Sequence, residues 1–209
     1  MNVDNLTQKP AQAFFVLVKP DGMANLRKIT QMFFTAFSER DEKVKIGYFN
    51  TIFPSETLGF GQFTRETVCT HYAKPDSWLI KYGRKIIAER NLVLSENVSD
   101  EEALAEGKKI PEAIANYMCS GNMMAIIFSS TAENTFDIAR EILGHTEPVQ
   151  ADSNSIRGKY SKDSFHAAWT EESSPRAIQN ICHCSDSLEE AEREVTLYLG
   201  QEIADEYFK

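Results

Sequence analysis

Apolar positions along this chain form short runs and helical stripes separated by turn residues. Ala13 to Val18 is a continuous apolar run rich in Phe and Val, the pattern of a buried strand. It stops at Lys19-Pro20-Asp21-Gly22, four residues of turn chemistry. Leu26, Ile29, Phe33 and Phe37 then recur three and four residues apart, which predicts an amphipathic helix over about 24–39. Lys43 to Phe53 alternates imperfectly through Val44, Ile46, Tyr48 and Thr51 and predicts a second strand. Ser55 is placed to cap a helix that runs from Glu56 towards Tyr72 despite Gly59 and Gly61.

Lys74-Pro75-Asp76 marks a break. Trp78 to Arg90 and Asp100 to Cys119 are charged with scattered apolar residues, a helical excursion of about 35–40 residues interrupted near Leu94–Ser99. Ser99 and Glu102 have the spacing of a capping box. Asn122 to Phe128 reads as a third strand, and Thr131 to Leu143 as a helix ended by Gly144. His145–Arg157 is loop-like, Gly158–Thr170 suggests an extended piece, and Glu171–Pro175 a surface loop. The last strand is expected at Ala177–Cys182. It leads into a helix striped by Leu188, Ala191, Val195, Tyr198 and Leu199, with Ser187 and Glu190 as its capping box, and then a short helical tail from Gln201. The order fits one domain over residues 1–209: a ferredoxin-like βαββαβ sandwich, α/β with an antiparallel sheet, carrying a helical insertion at about 75–118. A parallel doubly wound sheet is the alternative, but neither of its phosphate-binding glycine fingerprints occurs.

Composition adds exclusions. The 209 residues are 42% hydrophobic and 25% charged, enough for a sizeable core without low complexity. A net charge of -9, from 31 acidic and 22 basic residues, argues against general nucleic-acid or anionic-membrane binding. No run is long enough to span a membrane, the polar first twelve residues are unlike a signal peptide, and four cysteines make no disulfide framework. A reducing, cytoplasmic compartment is expected.

The candidate chemistry centres on Asn180-Ile181-Cys182-His183-Cys184-Ser185-Asp186-Ser187. There an apolar run ends in a histidine just ahead of a helix N-terminus, where backbone N–H groups favour an anion. Lys19 at a strand end, Tyr72, Arg140, Thr146, Arg157 and Asn180 are the other polar residues at element ends and in loops; around one histidine they would suit a polyphosphate. Strand alternation puts Cys182 and Cys184 on one face and His183 on the other, which argues against one metal bound by all three.

The Lys19–Gly22 turn, His71-Tyr72, Arg140 ahead of Gly144, Thr146, Ser155-Ile156-Arg157-Gly158, and Asn180–Ser187 ahead of Ala191–Glu194 occur in one order. That order resembles the signature of the nucleoside diphosphate kinase family, over about Ala13 to Gly200, in its longer-chain branch. The resemblance implies a ping-pong phosphotransferase in which the γ-phosphate of a nucleoside triphosphate passes to His183 and then to a nucleoside diphosphate. It implies that Glu194 holds the other ring nitrogen of His183 and that Tyr72 places the lysine or the phosphoryl group. Lys19 and Asn180 would serve sugar hydroxyls and phosphates, while Arg140, Thr146 and Arg157 would clamp phosphates. Trp78 stands as the base-stacking aromatic. Mg²⁺ would arrive on the nucleotide phosphates without a protein metal site, and a homo-oligomer, hexamer or tetramer, is implied. Two departures stand out: Cys184 where glycine or alanine is usual, and Asn154-Ser155-Ile156 where Gly-Thr-Ile is usual. They are the best support for a rival, a nucleotide-binding scaffold of the same fold that has lost turnover.

Overall fold

The computed structural model describes residues 11–92, 94–171 and 176–209. Three longer strands and two short ones make one sheet in the order β3-β2-β4-β1-β5. β1 (Gln12–Val18) lies inside it, antiparallel to β4 (Met123–Ser130) on one edge and to β5 (Cys182–Cys184) on the other. β2 (Val44–Pro54) pairs antiparallel with β4, with a bulge between Ile46 and Tyr48, and β3 (Gln62–Phe63) adds a short parallel edge. This is the ferredoxin-like arrangement expected from the element order.

β1 is buried on both faces because its neighbours bring helices to both. Phe14, Val16 and Val18 face α1 (Leu26–Ser38) and α6 (Thr135–Leu143), packing on Ile29, Phe33, Phe37 and Ile138. Phe14 and Phe128 stack here at 5.2 Å, and each buried Phe contributes roughly 1.5–3 kcal/mol. Ala13, Phe15 and Leu17 face the other way, towards α2 (Arg65–His71), α5 (Lys109–Met118) and α8 (Leu188–Leu199) through Val68, Met118, Ala191 and Val195. β5 continues the alternation: Cys182 and Cys184 enter the first core, while His183, opposite Leu17, looks into the second.

Between α2 and β4 run α3 (Asp76–Asn91), α4 (Asp100–Gly107) and α5. Ser99 and Glu102 form the expected capping box on α4. α3 and α4 cross at glycines, where a Cβ on Gly83 would collide with the Ala103 carbonyl and one on Gly107 with that of Leu79. A third apolar cluster, with Ile86, Ile110, Phe165 and Trp169, joins these helices to the 165–178 segment.

Four local expectations are corrected. No helix runs from Glu56: the chain turns at Gly61 (φ +69) into β3, and α2 starts at Arg65 behind a Thr64–Thr67 capping box. Gly158–Thr170 is not extended; α7 (Ile156–Tyr160) begins it, capped by the Ser155 hydroxyl, and a π-helical turn at Ala167–Glu171 ends it. The last strand is Cys182–Cys184 rather than Ala177–Cys182, because Ile181 has a positive φ of 71°. At α8 Ser187 accepts from the Glu190 amide, but the Glu190 carboxylate bonds Arg193 instead of closing the box. The expected Glu171–Pro175 loop lies largely outside the described residues, as does most of the polar N-terminus. α9 (Gln201–Phe208) completes the chain.

Candidate active site

The site forms where β1 ends beside β5. Chain direction fixes Lys19: its backbone N–H donates to the Ile181 carbonyl at 2.8 Å, so its side chain enters beside Asn180 and donates to Oδ1 at 2.7 Å. The Asn180 amide in turn donates to the Thr146 carbonyl at 3.0 Å, tying the loop after α6 to the lysine. Lys19 is buried with its ammonium 5.6 Å and 5.7 Å from the ring centres of Tyr72 and Tyr117. Burial, then the Arg157 charge, bring its pKa down to about 8 against the opposing pull of Asp21.

Ile181 is the strained residue of the site. The Cys182 amide donates to the Asn180 carbonyl at 2.7 Å, closing a three-residue turn across it. A β-branched residue at positive φ costs of order 1–3 kcal/mol and persists only where its surroundings over-determine it.

Past that turn, His183 presents both its nitrogens to use. Nε2 lies 2.9 Å from each oxygen of Glu194, which α8 carries three residues beyond Ala191 on its buried face. A carboxylate only accepts, so Nε2 carries a proton and, in the neutral ring, Nδ1 carries the lone pair; Nδ1 has no partner among the described residues. Glu194 also accepts from Nε2 of His71 at 3.0 Å and from the Ser185 hydroxyl at 2.5 Å. Burial pushes the Glu194 carboxyl up, but its contacts with His183 and His71 outweigh burial and hold it well below the usual carboxylate range. Burial brings His71 down to about 4, so it is neutral at pH 7; it donates to Glu194 and accepts from the Tyr198 hydroxyl at 2.9 Å.

A cavity of about 960 Å³ opens above His183. Lys19, Tyr72, Trp78, Arg140, Thr146, Arg157, Asn180 and His183, named from the sequence, all line it, and Glu194 stands behind the imidazole. Its apolar end is built by Trp78 and Tyr82 of α3, stacked at 4.1 Å, with Ile110 and Ile114 of α5 and Phe165 and Ile178 opposite. The Tyr72 hydroxyl is buried without a hydrogen-bond partner among the described residues. Arg157 differs from the plain phosphate clamp expected: it is buried and donates to the carbonyls of Asn180, Gly144 and Cys182 at 3.3, 3.0 and 2.9 Å. It braces β5 as well as charging the wall, and two of its five N–H groups remain.

Sequence reasoning assigned no role to His71, Ser185, Tyr198 or Tyr117. The strand period of two already puts Ser185 on the face of His183, and α-helical spacing puts Tyr198 one turn beyond Glu194. Cys184, the departure beside His183, turns its thiol into the opposite core, and burial pushes that thiol well up.

A model of the nucleoside diphosphate kinase family matches residues 70–203. The chain belongs to that family. The nucleoside diphosphate kinase of Pyrobaculum aerophilum is 26% identical over 196 residues, covering 92% of this chain and 97% of that one. That of Methanococcus maripaludis is 32% identical over 120 residues, 57% of this chain and 79% of its own. Among solved structures, an NDP kinase from Pyrobaculum aerophilum superposes with a TM-score of 0.67 at 25% identity, covering 92% of this chain and 98% of that one. A transition-state mimic of the Borrelia burgdorferi nucleoside-diphosphate kinase with bound vanadate and ADP gives 0.59 at 18% identity, covering 90% and 86%, and shares the fold. The Lys19 turn lies ahead of the matched segment, and the structure brings it against the Asn180–His183 corner inside it.

Proposed function

We propose that the protein is a working nucleoside diphosphate kinase that moves the γ-phosphate of a nucleoside triphosphate to a nucleoside diphosphate through His183. The observation that carries this reading is the orientation of His183: Nε2 is committed to Glu194, and Nδ1 is left with its lone pair beside a cavity lined by Lys19, Arg140 and Arg157. Nδ1 attacks the γ-phosphorus, the bond to the bridging oxygen breaks, and the diphosphate departs with that electron pair. The imidazole then carries positive charge, which the Glu194 carboxylate balances. The second diphosphate reverses the step. Lys19, Arg140 and Arg157 neutralise the phosphate oxygens, Asn180 fixes the lysine and reaches the sugar side, and the unpartnered Tyr72 hydroxyl is available to the phosphoryl group or lysine. Trp78 provides the face on which a base stacks, in an apolar end poor in groups that would tell one base from another.

Mg²⁺ enters on the nucleotide as part of the substrate. Among the described residues one cluster has ligand atoms close enough to chelate, His71, His183 and Glu194, and imidazoles bonded to a carboxylate are a poor host for a hard oxygen-seeking ion. The chain is read as one domain with α3–α5 as an insertion forming the base end of the cavity. No helix among the described residues is long and apolar enough to cross a membrane, in keeping with a cytoplasmic enzyme. Exposed Phe49, Phe53, Leu58 and Phe60 beside the outer edge of β2 support assembly into a homo-oligomer, hexamer or tetramer.

Initial rates with ATP and varied dTDP test the reading. Parallel double-reciprocal lines and an inactive His183→Ala are expected; intersecting lines, or a His183→Ala that turns over, overturn it.

A further inference from the structure

The strained turn at Ile181 is tied down by a chain of hydrogen bonds that begins on α5. Asp21 lies in the turn after β1. Its Oδ2 accepts from the Ile181 amide at 3.0 Å. Its Oδ1 accepts a short hydrogen bond from the hydroxyl of Tyr117, near the end of α5. The Ile181 carbonyl accepts from the Lys19 amide at 2.8 Å, so both backbone groups of Ile181 are held by residues 19–21. Gly22 permits the approach, since a Cβ there would collide with the Ile181 carbonyl. Tyr117 also keeps its ring over the Lys19 ammonium.

We infer that Asp21 and Tyr117 are positioning residues: the chain Tyr117–Asp21–Ile181 holds the left-handed turn that aims the Asn180 amide at Lys19 and starts β5 one residue before His183. A β-branched residue leaves positive φ unless its surroundings prevent it. Were Ile181 to relax, Asn180 would lose its line to Lys19 and Thr146, and β5 would shift against β1. Displacement of reacting groups by about 1 Å is enough to cost of order a hundredfold in rate. The inserted helices thereby act on catalysis through one hydroxyl, besides walling the base end. Asp21 has a second effect, since its charge supports the Lys19 ammonium. The other groups facing that ammonium are Arg157, Cys182, His71, the Asn180 amide and the rings of Tyr72 and Tyr117. This inference rests on the phosphotransfer reading of His183.

The test uses Tyr117→Phe, Asp21→Asn and the double variant of the full chain. Single-turnover phosphate uptake from ATP is followed together with hydrogen exchange at the Ile181 amide, the NMR titration of Lys19 and thermal unfolding. Tyr117→Phe keeps the ring and is expected to slow uptake about tenfold and to speed Ile181 exchange, with the unfolding temperature almost unmoved. Asn at position 21 has one acceptor for two donors, so Asp21→Asn is expected to slow uptake at least as much. It also moves the Lys19 titration to lower pH. Because both residues act through one chain, the double variant is expected to be no slower than Asp21→Asn alone. Additive losses, a Tyr117→Phe at the wild-type rate, or a loss that tracks unfolding overturns the inference. If the wild-type protein takes up no phosphate, the phosphotransfer reading has failed instead. Ile181 exchange and the Lys19 titration then still decide the positioning claim, and unchanged values in both variants refute it.

Discussion

Replacing Glu194 by Gln tests the electrostatics around His183 with little change in volume. The carboxylate is buried and accepts from three side chains: His183 at 2.9 Å, His71 at 3.0 Å and Ser185 at 2.5 Å. His71 and Ser185 are neutral donors at pH 7, so the negative charge of Glu194 is left to answer the positive charge that His183 acquires on taking the phosphate. A glutamine keeps one acceptor oxygen and sets an N–H pair against groups that themselves donate. A hydrogen bond to a charged partner is worth about 1.5–3 kcal/mol, and a misplaced donor adds to its loss. A transition-state penalty of about 3–4 kcal/mol, or roughly a hundred- to thousandfold in rate, is the scale for removing one preorganised electrostatic group. Quenched-flow measurement of phosphate uptake from labelled ATP reads that number directly. Glu194→Asp keeps the charge at shorter reach and is expected to fall between the two. A Glu194→Gln rate within a few-fold of wild type would refute the assignment of Glu194 as the group that balances the charge on His183.

The Lys19 ammonium is the charged form below its pKa of about 8, so kcat/KM is expected to hold up to that pH and fall about tenfold per unit above it; a profile flat to pH 10 contradicts the role given to Lys19. His71 is depressed from 6.5 to about 4, so the unfolded chain takes its proton first as pH falls. Its stabilisation is complete above about 6.5 and lost towards 4, about 3 kcal/mol in all, and His71→Gln should flatten that part of an acid-denaturation series. Burial pushes the Cys182 thiol up to about 12 and the Cys184 thiol well above its usual value, and both pack into the core on the face opposite the imidazole. Iodoacetamide at pH 7 is therefore expected to leave both unmodified by mass spectrometry, with phosphate uptake intact. Gly83→Ala forces a Cβ into the Ala103 carbonyl and is expected to cost about 1–3 kcal/mol, read by denaturant unfolding.

What the sequence made legible were the parts governed by local pattern. Phe14 to Val18, the Ile29–Phe33–Phe37 stripe and Met123 to Phe128 became strands and a helix because burial on one or both faces imposes a period that composition records. The family signature likewise named residues that the fold gathers around one cavity. What was not legible depends on tertiary contact. Ile181 reads as strand by propensity, yet Lys19 and Asp21 hold it in a left-handed turn, so the strand starts later. Ser55 is placed like a helix cap, but Leu58 and Phe60 after it are exposed ahead of the turn at Gly61, which leads into β3. Arg157 gives no sign in sequence that most of its donors will meet backbone carbonyls. The third donor on Glu194, Ser185, went unread because the strand was expected to end at Cys182, whereas it runs to Cys184 and carries its alternation on to Ser185.

The central claim is that His183 carries the phosphate between two nucleotides. Incubating the protein with γ-labelled ATP, removing nucleotide and assaying the acid and alkali stability of the label tests it most directly. The account predicts close to one acid-labile, alkali-stable phosphate per chain, mapped to His183, absent from His183→Ala and discharged by GDP or dTDP to the labelled triphosphate. A label that survives acid, that persists in His183→Ala, or that no diphosphate removes would contradict it.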